Sequence, residues 1–378
     1  MKIIFFSPYF YPYISGMTVY PQLVLKELNK KHDIEILTFK HDRYLTSKDS
    51  LDGLAVYRMP FLCKISKGFI SPQSIIIFFK KIKKKELLII NLPSVEGLFL
   101  VFLAKLLGVK VLAIFHCQID LGPGLIGRVL SLLVNSLVKV QLLLAEKIVA
   151  FSADYIDSLS WSNKLKNKVV YIKPVVRTVE ENFRTLKKFK EKRGKQYWIG
   201  FVGRISREKG LDYLIEAIKI LPNSERFTLV FVGPNNEQVA GENKYYLDFI
   251  KKLKTSQINY LFLGLLAEKD LFSFYKSIDL LVLPSINSTE AYGLVQLEAM
   301  SVGTPVVTSN LPGIREPIQQ LKMGKLVPPQ NVEKLSLAII EVIDLKFKQK
   351  FIKQEKIIGN FISKKRAIEE YEKIFHKI

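Results

Sequence analysis

Two carboxylates, Glu290 and Glu298, stand eight positions apart with Gly293 between them, in the run Glu-Ala-Tyr-Gly-Leu-Val-Gln-Leu-Glu. The apolar run Asp279-Leu280-Leu281-Val282-Leu283-Pro284 comes before, and Ala299-Met300-Ser301-Val302-Gly303-Thr304-Pro305-Val306-Val307 comes after. That order predicts strand, loop, helix, strand. It puts Glu290 in the loop at the strand's C-terminal end and Gly293 at the helix start. Glu298 then lies roughly a turn and a half into the helix. A helix start offers unpaired N–H groups and a positive dipole end, which suit a phosphate. Carboxylates to either side can accept hydrogen bonds from sugar hydroxyls. The layout fits a molecule with a diphosphate in the middle and a sugar at each end.

A second element has complementary chemistry. Gly203-Arg204-Ile205-Ser206-Arg207-Glu208-Lys209-Gly210 follows an apolar run and precedes a helix-like one. Glycines at its ends let backbone approach a ligand closely, and Arg204 and Lys209, five positions apart, can clamp a diphosphate. Taken alone, the segment reads equally well as a solvated charged turn. The carboxylate loop in the same predicted sheet turns the reading toward binding. His116 follows Val111-Leu112-Ala113-Ile114-Phe115, so it sits at a strand's C-terminal end, where open α/β sheets bind ligands. A hydrogen-bonded structural histidine is the alternative. Asp120 is placed to orient that ring or hold an acceptor. In the loop after the first strand, Gly16 and Met17 open a helix whose N–H groups could face a substrate.

These groups need a frame, and the pattern supplies one. Strand-like runs at Ile3–Ser7, Asp33–Thr38, Leu54–Met59, Leu87–Asn91, Lys110–Phe115, Lys147–Ser152 and Val169–Ile172 alternate with helix-like segments. The pattern restarts at Trp198–Gly203, Phe227–Gly233, Asn259–Gly264, Asp279–Pro284 and Thr304–Ser309. Strands alternating with helices predict parallel, doubly wound sheets, here two Rossmann-like α/β domains. The predicted domains are 1–173 and 174–360, joined near Lys173-Pro174-Val175. A last helix over 361–378 carries Phe361, Ile368, Tyr371, Ile374 and Phe375 on one side and is free to pack back on the first domain.

Composition narrows the class. The 378 residues are 48% apolar with a formal charge of +22, a globular chain large enough for two cores and suited to an anionic partner. Lysine-rich coding bias is part of that charge. Between Phe61 and Lys110 nine lysines face two acids, Glu86 and Glu96. Within that stretch Gln73–Lys84 reads as a basic amphipathic helix suited to an anionic membrane surface, or as an exposed helix packed on its own sheet. No nucleic-acid motif accompanies the charge, which argues against nucleic acid as partner. Two cysteines, Cys63 and Cys117, lack metal-type spacing, so a reducing cytoplasm is expected. The start of the chain reads as a buried strand rather than a signal peptide. The longest apolar stretch, Leu125–Ala150, is interrupted by Arg128, Asn135, Lys139, Glu146 and Lys147, which argues against a membrane span. No Asp-x-Asp pair, no G-x-G-x-x-G after a strand and no GxxxxGK[ST] is found, so neither a metal on such a motif nor dehydrogenase or P-loop chemistry is expected.

The Gly16 loop, His116 after its strand, Gly203-Arg204 with Lys209-Gly210, and the Glu290–Glu298 element together resemble the retaining glycosyltransferases of family 4, also called group 1. The resemblance runs over almost the whole chain and implies the GT-B architecture, two Rossmann-like domains facing a cleft. It implies a nucleotide-sugar donor bound mainly by the second domain, an acceptor bound by the first, and no metal or other cofactor. Arg204 and Lys209 would hold the diphosphate, Glu290 the donor sugar, Glu298 the nucleotide ribose, and the N–H groups from Tyr292 to Leu294 the phosphate. His116 would lie over the sugar. Both carboxylates would then grip hydroxyls, with no need of a raised pKa. The acceptor would be a glycan or a lipid-linked glycan at the cytoplasmic membrane face; a soluble sugar or sugar phosphate, and a non-catalytic binding protein, are the alternatives. The chain departs from the family in having Gly16-Met17 where two glycines are common. It has Lys173-Pro174-Val175-Val176 in place of an asparagine-glycine turn, and Tyr292 in place of phenylalanine.

Overall fold

The computed structural model describes residues 1–65, 68–122, 124–234, 243–344 and 355–378. It divides into two compact units, Met1–Val175 with Ser363–Ile378, and Val176–Ile362.

The first unit contains β1 (Lys2–Phe6), α1 (Gly16–Leu28), β2 (Asp33–Phe39), β3 (Lys48–Leu51), β4 (Leu54–Met59), β5 (Cys63–Ile65), β6 (Gly68–Ile70), α2 (Pro72–Ile82) and β7 (Leu87–Leu92). These are followed by α3 (Gly97–Leu106), β8 (Lys110–Phe115), α4 (Leu125–Leu144), β9 (Lys147–Ala150), α5 (Ala153–Asp157) and β10 (Val169–Tyr171). Its main sheet has the order β10-β9-β8-β7-β1-β2-β4-β3, parallel except for β3. Every residue of β7 is buried, as a central strand covered on both faces requires, and this is why it reads as an apolar run from Leu87 to Ile90. Ile3 pairs with Leu87 on one side and Ile34 on the other. The chain passes from β1 outward to β2 and β4, then returns to the other side of β1 at β7. That reversal is the switch point, where the C-terminal strand ends leave a crevice.

The second unit runs α6 (Phe183–Arg193), β11 (Tyr197–Val202), α7 (Leu211–Lys219), β12 (Phe227–Val232), α8 (Asn243–Thr255), β13 (Asn259–Gly264), α9 (Glu268–Ser277) and β14 (Leu280–Leu283). It continues with α10 (Leu294–Ser301), β15 (Val306–Ser309), α11 (Glu316–Leu321), β16 (Gly324–Val327), α12 (Val332–Ile343) and α13 (Glu355–Phe361). Its sheet, β13-β12-β11-β14-β15-β16, is parallel throughout. Ile199 pairs with Leu280 and Leu281 with Val306, so the switch point falls between β11 and β14.

The structure adds elements that periodicity missed. β3 and β4 form an antiparallel hairpin through Asp52 and Gly53, whose φ values of 53° and 82° are those of a tight left-handed turn. β5 and β6 form a second short ladder, and β16 adds an edge strand. The final helix, α14 (Lys364–Phe375), starts after a break, so Phe361 belongs to α13 rather than to its apolar face. Ser363 caps α14 by accepting from the Arg366 N–H.

α14 returns to the first unit. Ala367, Tyr371, Ile374 and Phe375 are buried at helical spacing. Burying the last three stabilises by about 1.5–3 kcal/mol each. Lys364 pairs with Glu27 at 2.6 Å, and His32 Nε2 lies 3.1 Å from Glu372. Tyr371 and Tyr20, both fully buried, share a hydroxyl–hydroxyl hydrogen bond of 2.9 Å. Tyr371→Phe therefore leaves the Tyr20 hydroxyl in an apolar site and should cost about 1–3 kcal/mol. The double variant Tyr20→Phe/Tyr371→Phe should recover most of that loss, because no polar atom is then stranded. Denaturant unfolding of the two singles and the double measures the coupling; strict additivity would show that the bond is not formed.

α4 differs from the expectation for Leu125–Ala150. It is a continuous 20-residue helix, and by length and composition alone it is long and apolar enough to cross a membrane; 17% of its most apolar window is buried.

Candidate functional site

The second unit's site is built at the β11/β14 switch point. The Gly203–Gly210 loop leaves the end of β11, and the loop bearing Glu290 leaves the end of β14, so adjacent strands carry the two elements. Gly210 (φ +65°) caps α7, and a Cβ there would lie 2.1 Å from the Pro284 carbonyl oxygen. Only glycine lets the cationic loop come this close to the carboxylate loop. The Ile286 N–H donates to the Glu208 carbonyl at 3.0 Å, tying the loops together. Gly293 (φ +70°) caps α10 in the same left-handed conformation. Gln296, fully buried in the first turn of α10, donates to the carbonyls of Tyr292 and Ile314 and so fixes the turn that presents Tyr292, Gly293 and Leu294.

The cations already have partners. Lys209 Nζ donates to Glu290 Oε2, and Arg204 lies 3.6 Å from Glu208. Burial raises the Glu208 carboxyl, but Lys209, the Ser206 hydroxyl and Arg204 outweigh it and hold the group below the usual carboxylate range. Glu208 was not singled out in the sequence. Its place between two cations in a glycine-bounded loop was the available signal. A diphosphate entering here would compete with Glu208 and Glu290 for Arg204 and Lys209.

Glu298 lies on α10 and is buried, and the Tyr275 hydroxyl donates to its Oε2 at 2.8 Å. Burial pushes its carboxyl up to about 7, against the lowering effects of the Tyr275 hydrogen bond and Arg177. The expectation that neither carboxylate has a raised pKa is therefore corrected for Glu298, because its helix turns it into the core against α9. The consequence for stability has a definite sign. Below the ordinary carboxylate value both folded and unfolded chains hold the proton. Between there and about 7 only the folded chain does, so stability falls as pH rises through this window. Glu298→Gln removes the effect. Its stability relative to the parent should improve by about 3 kcal/mol on going from pH 5 to pH 8, from urea midpoints at the two values. An unchanged difference would mean that Glu298 is ionised in the folded protein.

In the first unit, His116 stands just past β8 and is buried; burial pushes its imidazole down to about 3, so the ring is neutral. Its Nε2 lies 2.6 Å from Asn91 Oδ1. Asn91 Nδ2 in turn donates to Ser7 Oγ at 3.1 Å and to the Met17 carbonyl at 2.9 Å. With Asn91 Oδ1 accepting, the proton sits on Nε2 and Nδ1 is the ring's acceptor. Asn91 thus connects β7, the end of β1 and the Gly16–Met17 helix start to the histidine. Asp120, expected to orient the ring or hold an acceptor, lies in an exposed turn where its Oδ1 accepts from the Gly122 N–H at 2.9 Å. Asn91 was missed because it ends the apolar run Leu87–Ile90; a polar residue closing a central strand was the readable signal. The Gly122–Gly127 run has the G-x-G-x-x-G spacing but does not follow a strand. It lies beyond the His116–Asp120 loop rather than at the end of β8, so it is not placed as a dinucleotide turn.

The profile of the glycosyl transferases group 1 matches residues 182–359, which lie inside the second unit. The chain is 33% identical over 172 residues to an uncharacterized glycosyltransferase of Methanocaldococcus jannaschii, covering 45% of this chain and 40% of the relative. It is 34% identical over 137 residues to a D-inositol 3-phosphate glycosyltransferase of Corynebacterium urealyticum, covering 35% and 31%. These matches span less than half of either relative. By structure, the Anabaena protein HepE in complex with UDP-glucose is similar over 100% of both chains, with a TM-score of 0.80 at 16% identity. The family match thus lies inside the second unit, and the likeness to HepE, over both units, is one of fold. The Lys209–Glu290 element lies inside the matched region, so the second unit is similar to the glycosyl transferases group 1, and the two parallel-sheet units have the GT-B fold.

Proposed function

We propose that this protein is a retaining, metal-independent glycosyltransferase that moves a hexosyl group from a nucleotide-sugar donor to a lipid-linked or polysaccharide acceptor at the cytoplasmic face of a membrane. The observation that carries the donor part is the Lys209–Glu290 pair, set between glycine-capped helices at the switch point of the second sheet. In this reading Arg204 and Lys209 take the diphosphate. Negative charge builds there as the nucleoside diphosphate leaves, and preorganised cations stabilise that stage most. The N–H groups of Tyr292, Gly293 and Leu294, with Gly203, cradle the phosphates. Glu290, released by Lys209, accepts from hydroxyls of the donor sugar, and Glu298 from the ribose. A buried Glu298 must ionise or donate its proton to do so, which adds a pH dependence to donor affinity. The first unit contributes His116 as a neutral imidazole and the Gly16–Met17 helix start as an acceptor or phosphate loop.

Support for retention is the likeness of the second unit to the glycosyl transferases group 1. HepE binds UDP-glucose, and this supports a sugar nucleotide as donor. A soluble sugar phosphate as acceptor is the second reading, favoured by the D-inositol 3-phosphate glycosyltransferase among the relatives. The test is a thermal-shift screen of nucleoside diphosphates and nucleotide sugars, followed by NMR of the product anomer. A ligand at 100 times its Kd should stabilise by about 2.7 kcal/mol. Absence of any shift across the set, or an inverted anomer in the product, overturns the reading.

A further inference from the structure

We infer that α2, α3 and α4 form a docking surface for an anionic bilayer, with the first half of α4 lying in the headgroup–acyl boundary; this rests on the membrane-face part of the proposed function. The three helices precede or connect β7, β8 and β9, pack α2 on α3 and α3 on α4, and so lie side by side on one face of the sheet. α4 buries only Val138, Gln141 and Leu142, all in its second half. Its first half is apolar and open: Leu125 is 80% exposed, Ile126 76% and Leu133 56%, with Val129, Leu130 and Leu132 exposed beside them. α3 continues the surface with Phe99, Phe102 and Leu106, and α2 with Ile75, Ile76 and Phe79. Single exposed apolar side chains are ordinary, but a continuous face of this kind needs a covering.

Charge decides what covers it. Lys80 is exposed on α2, Lys83 and Lys84 are exposed just past its end, and Arg128 stands exposed among the leucines of α4. Lysine is depleted from the cores of protein interfaces, whereas cations beside apolar side chains suit an anionic headgroup layer, where their stems reach along the acyl boundary. The overall charge of +22 has the same sign. Length decides the depth. The whole helix could span a bilayer, but its second half is held to the domain. Gln141 Nε2 donates to the Ser94 carbonyl at 2.7 Å, and Val138 and Leu142 are in the core. The free first half is about 15 Å long, half the hydrocarbon thickness, so it lies in the surface rather than through it. The same half is strapped to the loop after His116. Asn135 exchanges hydrogen bonds with the Ile119 N–H and carbonyl at 2.9 and 2.8 Å, and Ser131 Oγ accepts from the Leu121 N–H at 2.8 Å. Docking α4 therefore sets the His116 loop at the lipid surface, where a lipid-linked acceptor presents its headgroup.

The experiment is flotation of the full-length protein with vesicles of phosphatidylcholine alone and of phosphatidylcholine mixed with phosphatidylglycerol, at physiological salt. The parent should float with the anionic vesicles and stay behind with the neutral ones. Ile126→Asp/Leu133→Asp should abolish flotation. Lys80→Gln/Lys83→Gln/Lys84→Gln should weaken it about a hundredfold, on the order of fivefold for each lysine. Failure of the parent to float, or equal flotation of the variants, overturns the proposal. So does a dimer in sedimentation equilibrium that the aspartate pair dissolves, since the covering would then be a second copy. The nucleoside diphosphate thermal shift on the same proteins separates the two readings. A retained shift without flotation removes the membrane surface alone, and flotation without any shift removes the donor site alone.

Discussion

Lys209→Ala should lower kcat/KM for transfer by about a hundredfold to a thousandfold, the loss seen when one preorganised donor to a developing anion is removed. The size follows from two roles carried by one ammonium group. With donor absent it holds Glu290, and both side chains lie mostly buried at the switch point. In the proposed reaction it would face the diphosphate as the leaving group gains charge. Removing it therefore costs charge stabilisation in the transition state and leaves Glu290 without its cation in the resting protein. Initial rates of donor consumption with acceptor present measure the effect, and an unchanged unfolding midpoint would separate it from misfolding. Full activity in this variant would show that the pair is structural. Arg204→Ala should fall in the same direction but by less, because Arg204 is more exposed and pairs more loosely with Glu208.

Gly210→Ala should be strongly damaging to the second unit's site. Its backbone is left-handed, and its Cβ would meet the Pro284 carbonyl oxygen at 2.1 Å, a backbone atom with no rotamer to escape into. Strain in the left-handed region and displacement of the β14 loop together should cost at least about 3 kcal/mol. For a unit the size of Val176–Ile362 that is a fall of roughly 6–12 °C in Tm. Gly53→Ala is the matched control: its φ is +82°, but nothing lies within 4 Å of its Cβ, so it carries the conformational cost alone, about 1 kcal/mol. Calorimetry of both proteins tests the difference. Equal losses would show that the approach to Pro284 relaxes without cost. Because the moved loop carries Glu290, the partner of Lys209, nucleotide affinity should fall with stability in the first variant and not in the second.

Much of this was legible from residues alone, and for a physical reason. Central parallel strands are buried on both faces, so β1, β7, β8, β11 and β14 appear as short apolar runs bounded by turn residues. Elements that evade this logic were missed. β3 carries three exposed residues of four, and β16 is an edge strand that begins at a glycine; neither has the apolar signature. The hairpin turn at Asp52-Gly53 was written in the sequence, yet its second strand lacked the pattern that would have completed it. At the site, types and spacing placed Lys209, Glu290 and Gly293 on loops at strand ends. Who pairs with whom could not be read, because pairing depends on strand order. β11 and β14 are neighbours although β12 and β13 lie between them in the chain. The same cause hid Asn91, brought beside His116 by the adjacency of β7 and β8. The burial of Glu298 was hidden by helix rotation, since one carboxylate in an apolar helix reads equally well as facing in or out.

The return of α14 to the first unit has a consequence for synthesis. The chain leaves that unit after Val175 and re-enters it only at Ser363. At about 5–20 residues per second, a ribosome takes on the order of 10–40 s to pass from one point to the other. Through that interval α1 has emerged without the helix that covers Tyr20 and His32, while the whole second unit is still being made. The N-terminal unit is thus the last to be finished. A premature stop or a bulky C-terminal fusion strikes the half of the molecule encoded first, and a nascent chain halted near residue 362 presents an open apolar seam along α1 while carrying a complete second unit.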